Sequence, residues 1–363
     1  MVKTKIAIIG GGISGLYAAY LLEQAGITDY ILLEARDRLG GRIHVKNGFD
    51  LGATWVWPDL NPRLMQLIRQ FEIPFFDQSV KGDFVIEESR EKSPIRLPNN
   101  SWSASSIRLK GGMDSLVQAL ATRIPTSRIV MGQKVINIIH HAHSEIEIIS
   151  ECHDGRAEHY QVSTVLLAIP SRLAIKQVSF KPALPQGIVS QWEKTATWMA
   201  PHAKYIAVYP KAFWKKQGLS GQARSYIGPM AEIHDASSQD EKAALFGFLG
   251  VPANVRQKVS KQDLLAHCRA QLVRLFGAEA AEPENEFLKD WSTDEFTATD
   301  MDWKNLSSMH GYAPEMTPVD LPWNNQIIGI ASEWSKDYSG YLAGAIDAAM
   351  VGVKHLLNSM EEA

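Results

Sequence analysis

A short apolar run, Lys5 to Ile9, meets Gly10-Gly11-Gly12-Ile13-Ser14-Gly15 and passes directly into an apolar stretch through Leu22. A second apolar run, Tyr30 to Leu33, ends on Glu34. Strand, glycine turn, helix and strand in this order are the G-x-G-x-x-G fingerprint in its structural setting, with an acid about twenty residues past the glycines. Gly10 allows the tight turn, Gly12 lets backbone approach a pyrophosphate, and Gly15 lets helix and strand pack closely. The helix start, with Ile13 and Ser14, offers N–H groups and a positive dipole end to phosphates. Glu34 is suited to accept hydrogen bonds from a ribose diol. These residues predict an α/β, Rossmann-like domain that binds a dinucleotide.

The 363 residues suffice for two domains with their own cores. A net charge of −3 gives no broad basic field, so neither nucleic acid nor an anionic membrane is an expected partner. Cys152 and Cys268 have no C-x-x-C spacing, which points away from a redox dithiol or a zinc site. His140, His141 and His143 crowd one strand end without a partner carboxylate cluster, so no metal is expected. No secretory leader is read before the first strand and the apolar helix is too short to span a bilayer, so cytoplasmic residence is expected.

The segment Glu34-Ala35-Arg36-Asp37-Arg38-Leu39-Gly40-Gly41-Arg42 places three arginines and paired glycines directly after the ribose-binding acid. Arginine presents a planar fork of donors to phosphate. Short strand-like runs follow at Ile129 to Met131, Lys134 to Ile139, Glu145 to Ser150 and Gln161 to Ala168, and their spacing predicts a small antiparallel layer. Residues from 171 to about 290 mix strands, at Lys204 to Tyr209 and Ala244 to Leu249, with a helix at Lys261 to Phe276. The expected organisation is a discontinuous cofactor domain (1–55, 105–170 and 290–363) with an inserted α+β substrate domain (56–104 and 171–289). Only one dinucleotide fingerprint is present, which favours a flavin enzyme without its own nicotinamide domain.

Several separated segments together resemble the flavin-containing amine oxidase family, which includes monoamine, polyamine and L-amino acid oxidases. They are Ile8 to Arg42, Asp50 to Trp55, Lys110-Gly111-Gly112-Met113, Val165 to Pro170, Lys204 to Tyr209 with Phe213-Trp214, and Ala331-Ser332-Glu333 followed by Tyr338 to Ala345. Their order matches the family's. The resemblance implies a glutathione-reductase-type FAD domain. In it Glu34 would hold the adenosine ribose, Arg36 would lie near the adenine end and Arg42 would meet the pyrophosphate, with Ala35 and Gly41 in the same cofactor-binding run. Gly52, Ala53, Thr54 and Trp55 belong to the second matched cofactor segment. Val135 is similar to the residue whose backbone meets the adenine, and Glu333 to the acid facing the ribityl–phosphate segment. Tyr341 would face the flavin ring, and Gly340 before it is a cofactor-binding residue of the same segment. Lys204 is similar to the family lysine that holds a water against the flavin, so Lys204 and Tyr341 are the catalytic candidates.

Three departures shape the expectation. The position of the cysteine that tethers FAD in monoamine oxidases falls near Asp300, so FAD is expected to bind without a covalent link. The aromatic cage has one ring, Tyr341, and its partner position falls near Met301, which leaves Trp303 or Trp334 to substitute in the substrate pocket. The segment between Trp55 and Gly111 is short, implying a smaller lid. The expected activity is FAD-dependent removal of hydride from a C–N bond of an amine or amino acid, giving an imine and then a carbonyl, with O2 reduced to H2O2. An amino acid would need an arginine for its carboxylate, with Arg224 and Arg63 as candidates. The alternatives are the same fold acting on C–C bonds or NAD(P)H, and a non-catalytic FAD-binding partner protein; homodimerisation is left open.

Overall fold

The computed structural model describes residues 1–98, 105–141, 145–238, 242–304, 313–318 and 322–361. His143 lies outside them. The chain divides into two compact units, one of residues 1–43, 116–200 and 295–363, the other of residues 44–115 and 201–294. The segment 171–200 therefore belongs to the first unit, where it forms the helices Ser171–Gln177 and Gln186–Lys194.

The centre of the first unit is a parallel sheet of five strands. Its order is Ile129–Met131, Tyr30–Glu34, Ile6–Ile9, Thr164–Leu167 and Ile327–Gly329. Ile6, Ala7, Ile8 and Ile9 are all buried, as a central parallel strand requires when both faces are covered. The helix Ile13–Gln24 follows the glycine turn and packs against the C-terminal helix Leu342–Glu361. Ala18 and Ala19 on one helix and Ala345, Ala348 and Ala349 on the other are buried, and such small side chains let the backbones approach.

The apolar run Gln161 to Ala168 is not one strand. It splits at Ser163 between Ala157–Val162, which joins an antiparallel layer with Ile146–Cys152 and Gln133–His140, and Thr164–Leu167, which joins the parallel sheet. Ile129–Met131 also pairs in parallel beside Tyr30–Glu34 and not in the antiparallel layer. Spacing along the chain does not distinguish strands that neighbour each other in sequence but join different sheets.

The second unit is built on a seven-stranded sheet. The order is Asn285–Asp290, Ala203–Tyr209, Ala243–Leu249, Met230–Asp235, Leu219–Ser225, Asp83–Glu87 and Ile95–Leu97. Side chains alternate between its faces. Tyr205, Ala207 and Tyr209 enter one core with the helix Lys261–Phe276, while Ile206 and Val208 enter a second core with Phe49, Leu51 and Phe246. Ser260 caps that helix by accepting from the Asp263 N–H.

Candidate active site

In the first unit the glycine turn is built as its motif requires. Gly10 has φ +108°, and a Cβ there would come within 2.8 Å of the Ala168 carbonyl oxygen. A Cβ on Gly15 would overlap the Gly10 carbonyl. The helix Ile13–Gln24 has no side-chain cap at Gly12 and no acid in its first turn, so its positive end is not offset from within the helix. Gly41 lies against Gly12 backbone to backbone, and the Gly40 N–H donates to the Gly11 carbonyl. The Ser14 hydroxyl donates to the Ile330 carbonyl.

Glu34 is 3 % exposed. One carboxylate oxygen accepts from the Gly11 N–H at 2.6 Å and the other from the Arg36 N–H at 2.9 Å. Ala35 links these two residues. The Arg36 guanidinium lies 3.6 Å from Glu34, donates to the Thr297 hydroxyl and covers the Phe296 ring. Arg42 forks onto the fully buried Glu333 at 2.6 and 3.0 Å and reaches the Ser332 hydroxyl. Val135 is buried at a bulge in the strand Gln133–His140. A carboxylate held at the tip of the second strand, an uncapped helix start and backbone-lined glycines fit a ribose and a pyrophosphate.

Tyr341 is 39 % exposed, and its ring lies 6.1 Å from that of Trp198 at an interplanar angle of 30°. Gly340 has φ +84°, and a Cβ there would strike Trp198 at 2.6 Å. Trp198 is thus the ring beside Tyr341, a long-range pairing that spacing along the chain does not reveal. Met301 and Trp303 lie on the short helix Met301–Lys304, and the buried indole N–H of Trp303 has no hydrogen-bond partner among the described residues. Trp334 is 3 % exposed, sits edge-on to Trp192 and donates to the Glu315 carbonyl, which makes it part of the first unit's core.

In the second unit Lys204 lies within the strand Ala203–Tyr209, between two partner strands, and is 0 % exposed. It occupies the sheet face of Ile206 and Val208, where alternation places an apolar side chain. Its ammonium donates to the Thr54 hydroxyl and, at 3.3 Å, to the Gly52 carbonyl. It stands 4.0 Å from the Phe246 ring centroid and 5.5 Å from that of Phe248. Ala53 lies between its two oxygen partners. The Trp55 indole donates to Gln78.

Lys204, Asp50 and Arg108 are buried ionisable groups that share this region, with Asp235 buried beside Arg108. Burial pulls the Lys204 ammonium below the ordinary lysine range, and the Asp50 charge opposes that shift. Burial raises the Asp50 carboxyl, while Lys204, the Met113 N–H and Arg108 act in the other direction. Arg108 donates to the carbonyls of Ser237 and Ala236. The sequence carried a mark of this cluster that the motif reading passed over: Arg108 stands between Ile107 and Leu109, a charge inside an apolar strand.

Arg63 is exposed, and Arg224 pairs with Glu232 at 2.8 Å. Cys152 and Cys268 are both free. Among the described residues no group of three or more His, Cys, Asp or Glu is placed to hold a metal ion, and no helix is long and apolar enough to cross a membrane.

The flavin-containing amine oxidoreductase family model matches residues 13–102 and 84–351. The chain belongs to this family of flavin enzymes. It is 21 % identical to human flavin-containing amine oxidase B over 99 % of this chain and 87 % of that protein. It is 22 % identical to a probable flavin-containing monoamine oxidase A of Dictyostelium discoideum over 80 % of this chain and 84 % of that one. Among solved structures, cyclohexylamine oxidase from Brevibacterium oxydans IH-35A aligns with a TM-score of 0.81 at 17 % identity, covering 99 % of both chains. A putrescine oxidase bound to putrescine aligns with a TM-score of 0.80 at 18 % identity, covering 98 % of this chain and 99 % of that one. These structures share the fold.

Proposed function

We propose that the chain binds FAD without a covalent link and oxidises a C–N bond of an amine, with dioxygen as the electron acceptor. The observation that carries this reading is a fully buried lysine, Lys204, on the sheet face of the second unit, in a chain of the flavin amine oxidoreductase family. Bound flavin would supply the two-electron redox chemistry, with dioxygen as the final oxidant and hydrogen peroxide as its product. The amine loses two electrons and two protons to become an imine, and water converts the imine to a carbonyl and ammonia or a smaller amine.

The protein's own residues bind, orient and manage protons. Glu34 holds the ribose hydroxyls, and the uncapped helix start at Ile13 and Ser14 faces the pyrophosphate. Arg42 and Glu333 fix one another, so that the arginine carries its charge in a set place. Val135 offers backbone to the adenine, and Tyr341, with Trp198 beside it, shapes the substrate side of the first unit. Lys204 holds and orients a water through its Nζ, for which burial favours easy loss of a proton. A non-covalent link is supported by the positions of the two cysteines. Cys152 lies on the strand Ile146–Cys152 and Cys268 inside the helix Lys261–Phe276, both far in sequence from the tether position near Asp300. In this division of labour the first unit carries the nucleotide and the second the substrate, in a cytoplasmic enzyme.

Purified protein offered primary amines, α-amino acids and NAD(P)H in turn should release peroxide with amines, and acid precipitation should leave a yellow supernatant. Peroxide with NAD(P)H alone, or a yellow pellet, would contradict the proposal.

A further inference from the structure

One carboxylate gathers separate stretches of the first unit. Asp302 lies on the helix Met301–Lys304 and is buried, as is Arg172 on the helix Ser171–Gln177. One Asp302 oxygen accepts from a terminal nitrogen of Arg172 and, at 3.3 Å, from the Thr197 N–H. The other accepts from the Thr299 N–H and the Thr299 hydroxyl, each at 2.8 Å. The Arg172 Nε donates to the Glu193 carbonyl at 2.7 Å, near the end of the helix Gln186–Lys194.

A buried ion pair is a weak source of stability. Desolvating both charges offsets most of their attraction, and apolar side chains of similar volume often serve as well. What this pair supplies is direction. Charge-assisted hydrogen bonds are short and geometrically exacting, and here donors from distant segments converge on one carboxylate. The Thr197 hydroxyl is buried with no hydrogen-bond partner among the described residues, so it is the Thr197 N–H that ties this segment to Asp302.

The next residue is Trp198. Its place is bounded also by Gly340, where a Cβ would come within 2.6 Å of it. The Trp198 ring lies 6.1 Å from that of Tyr341, within the range of aromatic pair contact. Tyr341 is exposed, and an indole beside it limits the rotamers open to its ring. The peptide between Thr197 and Trp198 is planar and stiff, so a shift at the tethered N–H is passed on to the indole. Arg172, Asp302, Thr197, Trp198 and Tyr341 all belong to the first unit.

We infer that Asp302, clamped by Arg172, is a positioning residue for the substrate side of the first unit, acting through the Thr197 N–H and Trp198 to hold the Tyr341 ring. The inference rests on the amine-oxidase reading and adds to it a residue that works through others and not on the reacting atoms.

The test compares two double variants that both remove the charges. Arg172→Met with Asp302→Leu leaves the Thr197 N–H without its acceptor, whereas Arg172→Met with Asp302→Asn returns an amide oxygen to it. Each is labelled with 5-fluorotryptophan and read by fluorine NMR without flavin or amine, the Trp198 line being the one lost in Trp198→Phe. That line should shift or split with Asp302→Leu and keep its wild-type place with Asp302→Asn. With flavin loaded, the Asp302→Leu pair should lose on the order of tenfold in kcat/KM for a primary amine, and the Asp302→Asn pair should recover most of it. In a Trp198→Ala background the Asp302→Leu pair should add little further loss, since its route runs through the indole. Should that pair not fold, Asp302→Ala beside Arg172→Met takes its place. An unmoved Trp198 line, or an equal displacement in both double variants, overturns the inference. So does an unchanged kcat/KM in the Asp302→Leu pair of a protein that turns over amines. A line that moves and recovers as stated, without peroxide from any amine, upholds the link from Asp302 to Trp198 and sinks the oxidase reading.

Discussion

A lysine with no exposed surface has to be held by what surrounds it, because desolvating an ammonium is costly. Lys204 gains two oxygen partners, two aromatic faces and the charge of Asp50. Burial lowers its proton affinity and Asp50 raises it, so removing the Asp50 charge lowers it further. Asp50→Asn keeps an acceptor for the Met113 N–H, and the limb of the pH–kcat profile set by Lys204 should move to lower pH in that variant. An unmoved limb, or one displaced upward, would detach Asp50 from Lys204. Lys204→Met should keep its flavin yet slow turnover or flavin reoxidation on the order of a hundredfold, read by stopped flow. Unchanged kinetics in that variant would remove its assigned role.

At the level of elements, the Arg42–Glu333 pair joins the loop after the ribose-binding strand to the turn before the C-terminal helix. Glu333 has no exposed surface, so Arg42→Ala leaves an unpaired buried carboxylate and should cost about 3–5 kcal/mol of apoprotein stability. Adding Glu333→Gln should recover much of that loss in a denaturant titration, and a double variant no better than the single one would argue against the pair. The strand–glycine–helix start was legible in the sequence because its parts are contiguous and its glycines have local causes. The helix Lys261–Phe276 was read to the residue, and the structure adds the Ser260 cap at its start and Gly277 at its end. The strands Asp83–Glu87 and Asn285–Asp290 were not read, since their residues are largely polar or half-buried and their pairing comes from distant segments. Register is a long-range property, and no spacing along the chain encodes it.

On the scale of the whole molecule, acid stability reflects groups buried in their neutral form. Burial, and then the charge of Arg256, lower His202 from 6.5 to about 4. Between those values the unfolded chain binds a proton at this position that the folded chain does not, so stability falls as pH drops through 6.5 toward about 4. The loss amounts to about 3 kcal/mol at about 1.4 kcal/mol for each pH unit. His202→Gln should flatten this part of the stability–pH curve, measured by urea unfolding at several pH values, and an equally steep curve would exclude His202 as the cause. The parallel sheet around the glycine turn and the second, α+β unit were both expected from the sequence. The family assignment likewise followed from segments spread along nearly the whole chain, whereas the boundary between units depends on contacts that no single motif reports.

The most direct test is to mix the yellow protein with a primary amine in the absence of oxygen and follow the visible flavin band. The band should bleach in a single kinetic phase that saturates with amine concentration, and admitting oxygen should restore it with formation of peroxide. A band that stays oxidised with every amine, or a native protein with no flavin absorbance, would contradict the account.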